Sequence, residues 1–453
     1  CHWNGFLRAS KLPPLSEGEL MTPLVTTLVF FGGLMLLMVA GTPLGFAAGS
    51  LGVLIVFINF GPDTIALASK TIYGLATDQV LVSVPMFVLM AALLERSDVA
   101  KDLYFSLQRL TGQLRGGVAG VTLLLSVILA AMSGIIGGEI VLLGLVALPQ
   151  MLRLKYNRYL AIGTICAGGS LGTMIPPSIV LIIYGLVAEA SVRDLFVAAV
   201  VPGFMLALGY FVYIVVRCTI NPSLAPPVSD EMREEIGVKQ TILGLVPPLA
   251  LISLIMICIY GGITSVTEAA GIGVTGAICI LIVRGELNLA LFNESLLRTF
   301  KTTGILLWVT FGVSVLVSAY NLSGGRDFVS DFILGLDFAP LATIAVMMLA
   351  FLILGTFMDW IGIVFLTMPI FVPIIEDMGY DPVWFGILFA INMQVAFLSP
   401  PFGPAAFYLK SVAPKSITLP MIYHSLWPFM LIQMVVLGLV MLYPQLTLWL
   451  PSL

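Results

Sequence analysis

Apolar stretches separated by short polar breaks run through almost the whole chain, and their lengths predict helices that cross or enter a membrane. The predicted segments are 24–40, 44–60, 80–94, 121–152, 160–188, 196–216, 242–260, 265–283, 304–319, 340–375, 383–409 and 419–442. Two of these, 121–152 and 340–375, are too long for one crossing and suit two half-depth helices at about 1.5 Å per residue. Both are expected to be re-entrant hairpins, with tips near 132–138 and 355–362. The stretches 95–114 and 285–301 are amphipathic and are predicted to lie along the membrane surface as separate helices.

A second pattern divides the chain in two. Around Pro176-Pro177 it reads SLGTMIPPSIVLIIYG, and 224 residues later, around Pro400-Pro401, it reads VAFLSPPFGPAAFYLK. At the same offset Gly138 pairs with Gly362, Pro149 with Pro373, Tyr156 with Tyr380 and Tyr184 with Tyr408. A lone Pro-Pro in a membrane helix is a kink. Two at matched offset, each following a long apolar segment, predict paired helix breaks. That is the arrangement of secondary transporters whose ligand site lies at mid-membrane depth.

Composition agrees with a membrane solvent. Of 453 residues 59% are hydrophobic and 10% charged, a balance that cannot fold in water. The formal charge of −4 has no basic stripe, which argues against nucleic acid as a partner. Only His2 and His424 could supply imidazole, which argues against a His-based metal or catalytic centre, and no cluster of catalytic groups marks an enzyme. Cys166, Cys218, Cys258 and Cys279 fall in apolar stretches and are expected to be small buried residues.

Positive charge sets the orientation. Fifteen of the twenty Lys and Arg fall on one face if both hairpins return to the side they entered; Lys70, Arg193 and Arg326 fall on the other, with Arg8 and Lys11 in the tail. The first half then starts outside and the second inside. The fold class expected is therefore an all-α polytopic membrane protein, an inverted repeat with two re-entrant hairpins and two Pro-Pro broken helices. Its parts are a polar tail (1–20), a first repeat (21–216), a cytoplasmic linker (217–241) and a second repeat (242–453).

Backbone unwound at membrane depth leaves polar groups that must face protein, water or an ion. The first tip offers Ser133, Gly134, Gly137 and Gly138, and the first break Gly169, Ser170, Gly172, Thr173 and Ser178. The second tip offers Gly355, Thr356 and Asp359, and the second break Asn392, Gln394, Ser399 and Gly403. Neutral oxygens of this kind suit Na⁺, and half-helix N-termini suit an anion. No Lys or Arg lies in these segments, so a substrate carboxylate would be held by dipoles, hydroxyls and amides. Asp359 in an apolar hairpin costs about 2.5–3.5 kcal/mol at the bilayer centre, which favours a site role over mere helix capping. Glu139, Asn392 and Gln394 divide evenly between structural and site roles, while Tyr184 and Tyr408 are expected to be packing anchors.

The chain resembles the large membrane subunit of tripartite ATP-independent periplasmic (TRAP) transporters. The resemblance rests on GGEIVLLGLVALPQMLRLKYNRYLAIGTICAGGSLGTMIPPSIVLIIYG, LFVAAVVPGFML, GGITSVTEAAG and the long string from FMDWIG to YLKSVAP. It implies a Na⁺-coupled importer of an organic anion in the bacterial inner membrane, surrounded by lipid, working with a four-helix small subunit and a periplasmic binding protein. It also implies elevator-type alternating access and needs no cofactor beyond Na⁺ as the coupling ion. Carried onto this chain, the cation ligands are Ser133, Gly134, Gly138, Gly169, Ser170, Thr173 and Pro176 in one half and Gly355, Thr356, Asp359, Ser399 and Pro400 in the other. The substrate would meet Pro177, Ser178, Asn392, Gln394, Pro401 and Gly403. The first tip, SGIIGGE, resembles a subgroup linked to mannitol, chloroaromatic or keto-acid substrates. The alternative is a stand-alone Na⁺- or H⁺-coupled carboxylate carrier of the same superfamily.

Overall fold

The computed structural model describes residues 22–111, 116–134, 137–226, 238–335 and 338–452. The polar tail, Ile135 and Ile136 of the first tip, and residues 227–237 of the linker lie outside the described residues. In chain order the helices are α1 (Pro23–Val39), α2 (Leu44–Phe60), α3 (Ala66–Ala76), α4 (Gln79–Arg96), α5 (Val99–Thr111), α6 (Gly117–Ser133), α7 (Gly138–Arg153), α8 (Arg158–Ser170), α9 (Ile179–Val187) and α10 (Val192–Ile220). They continue as α11 (Val238–Tyr260), α12 (Val266–Arg284), α13 (Leu289–Leu322), α14 (Gly325–Leu334), α15 (Pro340–Gly355), α16 (Trp360–Asp377), α17 (Pro382–Leu398), α18 (Pro404–Val412), α19 (Leu419–Leu442) and α20 (Gln445–Leu448). No strand occurs among the described residues. Six of these helices, α4, α10, α12, α13, α16 and α19, are long and apolar enough to cross a membrane.

Both predicted hairpins are helix–turn–helix units, α6 with α7 and α15 with α16. Both predicted breaks are present as well. The first separates α8 from α9 with a short 3₁₀ turn at Leu171–Thr173, and the second separates α17 from α18. The Pro176-Pro177 and Pro400-Pro401 peptide bonds are cis. Pro247 and Pro248, by contrast, lie inside the continuous helix α11, so a proline pair alone does not interrupt a helix here.

Local sequence explains where the broken helices begin. Asn157 and Asp381 stand 224 residues apart, and each side chain caps the helix it precedes. Asn157 Oδ1 accepts from Tyr159 N at 3.0 Å, and Asp381 Oδ1 from Val383 N at 2.7 Å. Caps of this kind stabilise a helix by about 1 kcal/mol. Ser265 and Glu268 form a reciprocal capping box that starts α12 in the same way.

The helices form two compact units. One contains α1 to α3, α14 and the part of α13 from Leu307 onward; the other contains the remaining helices. In the first, Gly52 lets α2 approach the backbone of Leu316, where a Cβ would stand 2.6 Å from Leu316 N. Tyr320 joins Thr27 through a 3.0 Å hydroxyl bond and lies against the Phe30 ring. In the second, the two halves interlock reciprocally. Helix α7 of the first hairpin packs on α18, beyond the second break, and α16 of the second hairpin packs on α9, beyond the first break.

Several expectations are corrected. Residues 289–301 do not form a separate surface helix but open the 34-residue helix α13. No proline interrupts them, and Gly304 is tolerated inside a long helix. Glu95 and Arg96 end α4, and the amphipathic helix that follows begins only at Val99. Arg217 to Ile220, assigned to the linker, belong to α10. Helices α3 and α14 were not expected. Cys279 is exposed rather than buried, because an apolar helix face toward hydrocarbon needs no protein cover.

Candidate functional site

The first tip meets the first break through the backbone. Helix α6 ends at Ser133, and Gly134 turns the chain in the left-handed region at φ 57°. This turn directs the Gly134 carbonyl to Ile179 N, the first residue of α9, at 3.2 Å. A side chain on Gly134 would collide with the Pro177 carbonyl oxygen. Within the break, Thr173 Oγ1 donates to Ser170 O at 3.1 Å, and Ser178 Oγ donates to Thr173 O at 2.6 Å while capping α9 at Leu181 N. Ser133, Gly134, Ser170, Thr173, Pro177 and Ser178 are thus brought together, all buried. Gly169 faces the Ile140 side chain instead, which makes its position one of close helix packing.

Glu139, in the first turn of α7, is fully buried and accepts a hydrogen bond from Ser133 Oγ. Its Oε1 lies over the α-carbon of Gly172, where an added Cβ would be 2.8 Å away. Its Oε2 is buried without a partner. One residue earlier, Gly138 faces a pair that sequence spacing could not disclose: Glu95 of α4 and Arg298 of α13, joined at 2.7 Å. No Lys or Arg lies in the tip and break segments themselves, but Arg298 arrives beside the first tip from a distant helix.

The second tip and break line a small pocket of about 20 Å³, bordered by Gly355, Met358, Asp359, Ala396, Phe397 and Pro404 among others. Gly355 lies so close to Ala396 that a Cβ would strike the alanine methyl. Asp359 both caps α16, accepting from Trp360 N at 2.9 Å, and lies on the cavity wall. The hydroxyls of Thr356 and Ser399 donate to Ile353 O at 2.6 Å and Ala396 O at 3.1 Å. Gly403 and Pro401 stand apart from the cavity lining, beside Tyr423, whose hydroxyl donates to Pro401 O at 3.0 Å. Asn392 Nδ2 donates to Met348 O of α15 at 2.8 Å, the helix-joining role weighed for it.

A third group links the halves. Gln433 of α19 donates to Ser170 Oγ at 3.3 Å and to Gln394 Oε1 at 3.4 Å, which places one amide between the two broken helices. Gln433 was not singled out from sequence; its signal is a lone amide in an otherwise apolar span. Tyr184 anchors packing as expected: its hydroxyl donates to Pro382 O at 2.7 Å and its ring stacks on Phe389. The Tyr408 ring stacks on Phe397 and also covers Gly137 of the first tip. The acids at the tips are not equivalent by the repeat, since Glu139 corresponds to Ile363 and Asp359 to Ile135.

Hairpins meeting broken helices, twice in one chain, are the parts of a carrier, and comparison with known proteins identifies which kind. The profile of the tripartite ATP-independent periplasmic transporter, DctM component, matches residues 31–446. The chain belongs to this family. It is 30% identical over 399 residues to the C4-dicarboxylate TRAP transporter large permease protein DctM of Pseudomonas aeruginosa, covering 87% of this chain and 91% of the relative. It is 28% identical over 425 residues to the sialic acid TRAP transporter large permease protein SiaM of Vibrio cholerae, covering 93% and 97%. Among solved structures, MtrF of Neisseria gonorrhoeae matches with a TM-score of 0.63 at 16% identity, covering 94% of this chain and 95% of that one, a likeness of fold alone. This member of the DctM family is a multi-pass membrane transporter subunit and not an enzyme.

Proposed function

We propose that this large TRAP permease subunit imports an organic anion across the bacterial inner membrane, driven by Na⁺, with a four-helix small subunit and a periplasmic binding protein as partners. The observation that carries the reading is the twofold meeting of hairpin tip and broken helix. The second of these leaves about 20 Å³ beside Asp359, room for one water-sized particle. Oxygen donors of mostly neutral character at such a junction suit a monovalent cation, and half-helix N-termini suit a carboxylate. Two relatives are named for C4-dicarboxylates and for sialic acid, both carboxylates, which supports an anionic substrate; the first-tip sequence adds a keto acid as a candidate. In the elevator reading, the two interlocked halves carry both junctions across the membrane as one body.

Uptake of candidate carboxylates into proteoliposomes holding both membrane subunits, with the cognate binding protein outside, tests this. Accumulation that needs an inward Na⁺ gradient and the binding protein is expected. Equal uptake without the binding protein would instead identify a stand-alone carrier, and uptake indifferent to Na⁺ would remove the coupling ion.

A further inference from the structure

Glu139 is the one feature of the first junction that neutral-oxygen chemistry does not account for. Its carboxyl is fully buried, one oxygen is bound by Ser133 Oγ and lies over Gly172, and the other has no partner. Among the described residues no Lys or Arg pairs with it; Arg298, the guanidinium close to this turn, is engaged by Glu95. A carboxylate taken out of water and left uncompensated costs several kcal/mol, so such a group is neutralised by a proton, by a paired cation or by a metal. Its surroundings are those of an ion ligand. Ser133 keeps lone pairs free after donating its proton, and Gly172 of the break lies against Oε1 with no side chain between them.

We propose that the Glu139 carboxylate is the anionic ligand of the first cation site, holding Na⁺ between the Ser133 tip and the Gly172 break. The proposal deepens the sodium-coupled reading and rests on it. The first site then binds its cation as a neutral pair, and Ser133, until now a ligand candidate by itself, also orients Glu139. The glycine at position 172 follows from the same arrangement, because any side chain there would occupy the space of Oε1.

Equilibrium binding of radioactive Na⁺ to the purified full chain, with choline replacing Na⁺ at constant ionic strength, tests the assignment. E139Q keeps the shape of the side chain and removes its charge. Its half-saturating Na⁺ concentration for one site is expected to rise by at least about tenfold, the order that follows from deleting one partner of a buried charged contact, with elution and helix content unchanged. If E139Q does not fold, G172A carries the test, since its methyl group would displace Oε1 and produce the same loss. A folded E139Q or G172A that titrates like the wild type overturns the role of Glu139 while leaving sodium coupling intact. A wild-type chain that binds no Na⁺ overturns both.

Discussion

The ring of Tyr408 covers Gly137, so closely that a Cβ built on the glycine would lie 2.8 Å from Tyr408 Cζ. The contact joins the first hairpin tip to the helix after the second break. Gly137 also holds φ at 113°, a conformation that a side chain resists. Gly137→Ala is expected to lower stability by about 1–3 kcal/mol from backbone strain alone, with added loss from the ring. Thermal unfolding of Gly137→Ala with and without Tyr408→Ala separates the two: the double variant should recover only the steric part.

Gln433 holds Ser170 and Gln394 with one amide group. Gln433→Leu leaves both buried partners without their donor and should cost about 1–3 kcal/mol. Pairing it with Gln394→Leu removes both ends of one contact, so the combined cost should fall below the sum of the single losses. A double-mutant cycle on unfolding temperatures measures the difference.

Asp359 combines a cap with a place on the cavity wall. Asparagine caps about as well as aspartate, whereas alanine does not. Asp359→Asn should therefore keep stability and weaken Na⁺-dependent uptake, while Asp359→Ala should lose about 1 kcal/mol in addition. If Asp359→Asn transports with the Na⁺ dependence of the wild type, the carboxylate acts as a cap only.

Arg298 is the partner of Glu95, whose side chain is only 9% exposed. Arg298→Ala should destabilise by about 1–3 kcal/mol, because it strands a charge that water barely reaches. Adding Glu95→Ala should restore part of the loss in thermal unfolding. If the double variant is no better than the single, the pair contributes packing rather than charge.

The two hairpins were legible because segments 121–152 and 340–375 are too long for one crossing and too apolar for a loop. The breaks were legible because proline pairs recur at one offset; Pro247-Pro248, which lacks a counterpart, is simply accommodated in α11. Short helices such as α3 and α14, with 11 and 10 residues, carry too little apolar length to stand out. The pairing of Glu95 with Arg298 joins residues more than 200 positions apart; in sequence both looked like ordinary charges of the basic face. Asn392 and Gln394 were legible as buried amides, but only the fold decides that one holds Met348 and the other Gln433.

The register of the two acids has an electrical meaning. Equal charges at matching positions of two oppositely oriented halves would cancel in their effect along the membrane normal. Glu139 and Asp359 are displaced by four positions in that register. The cancellation is thereby broken: the two junctions carry their acids at unequal places, a built-in polarity laid over a nearly symmetric frame.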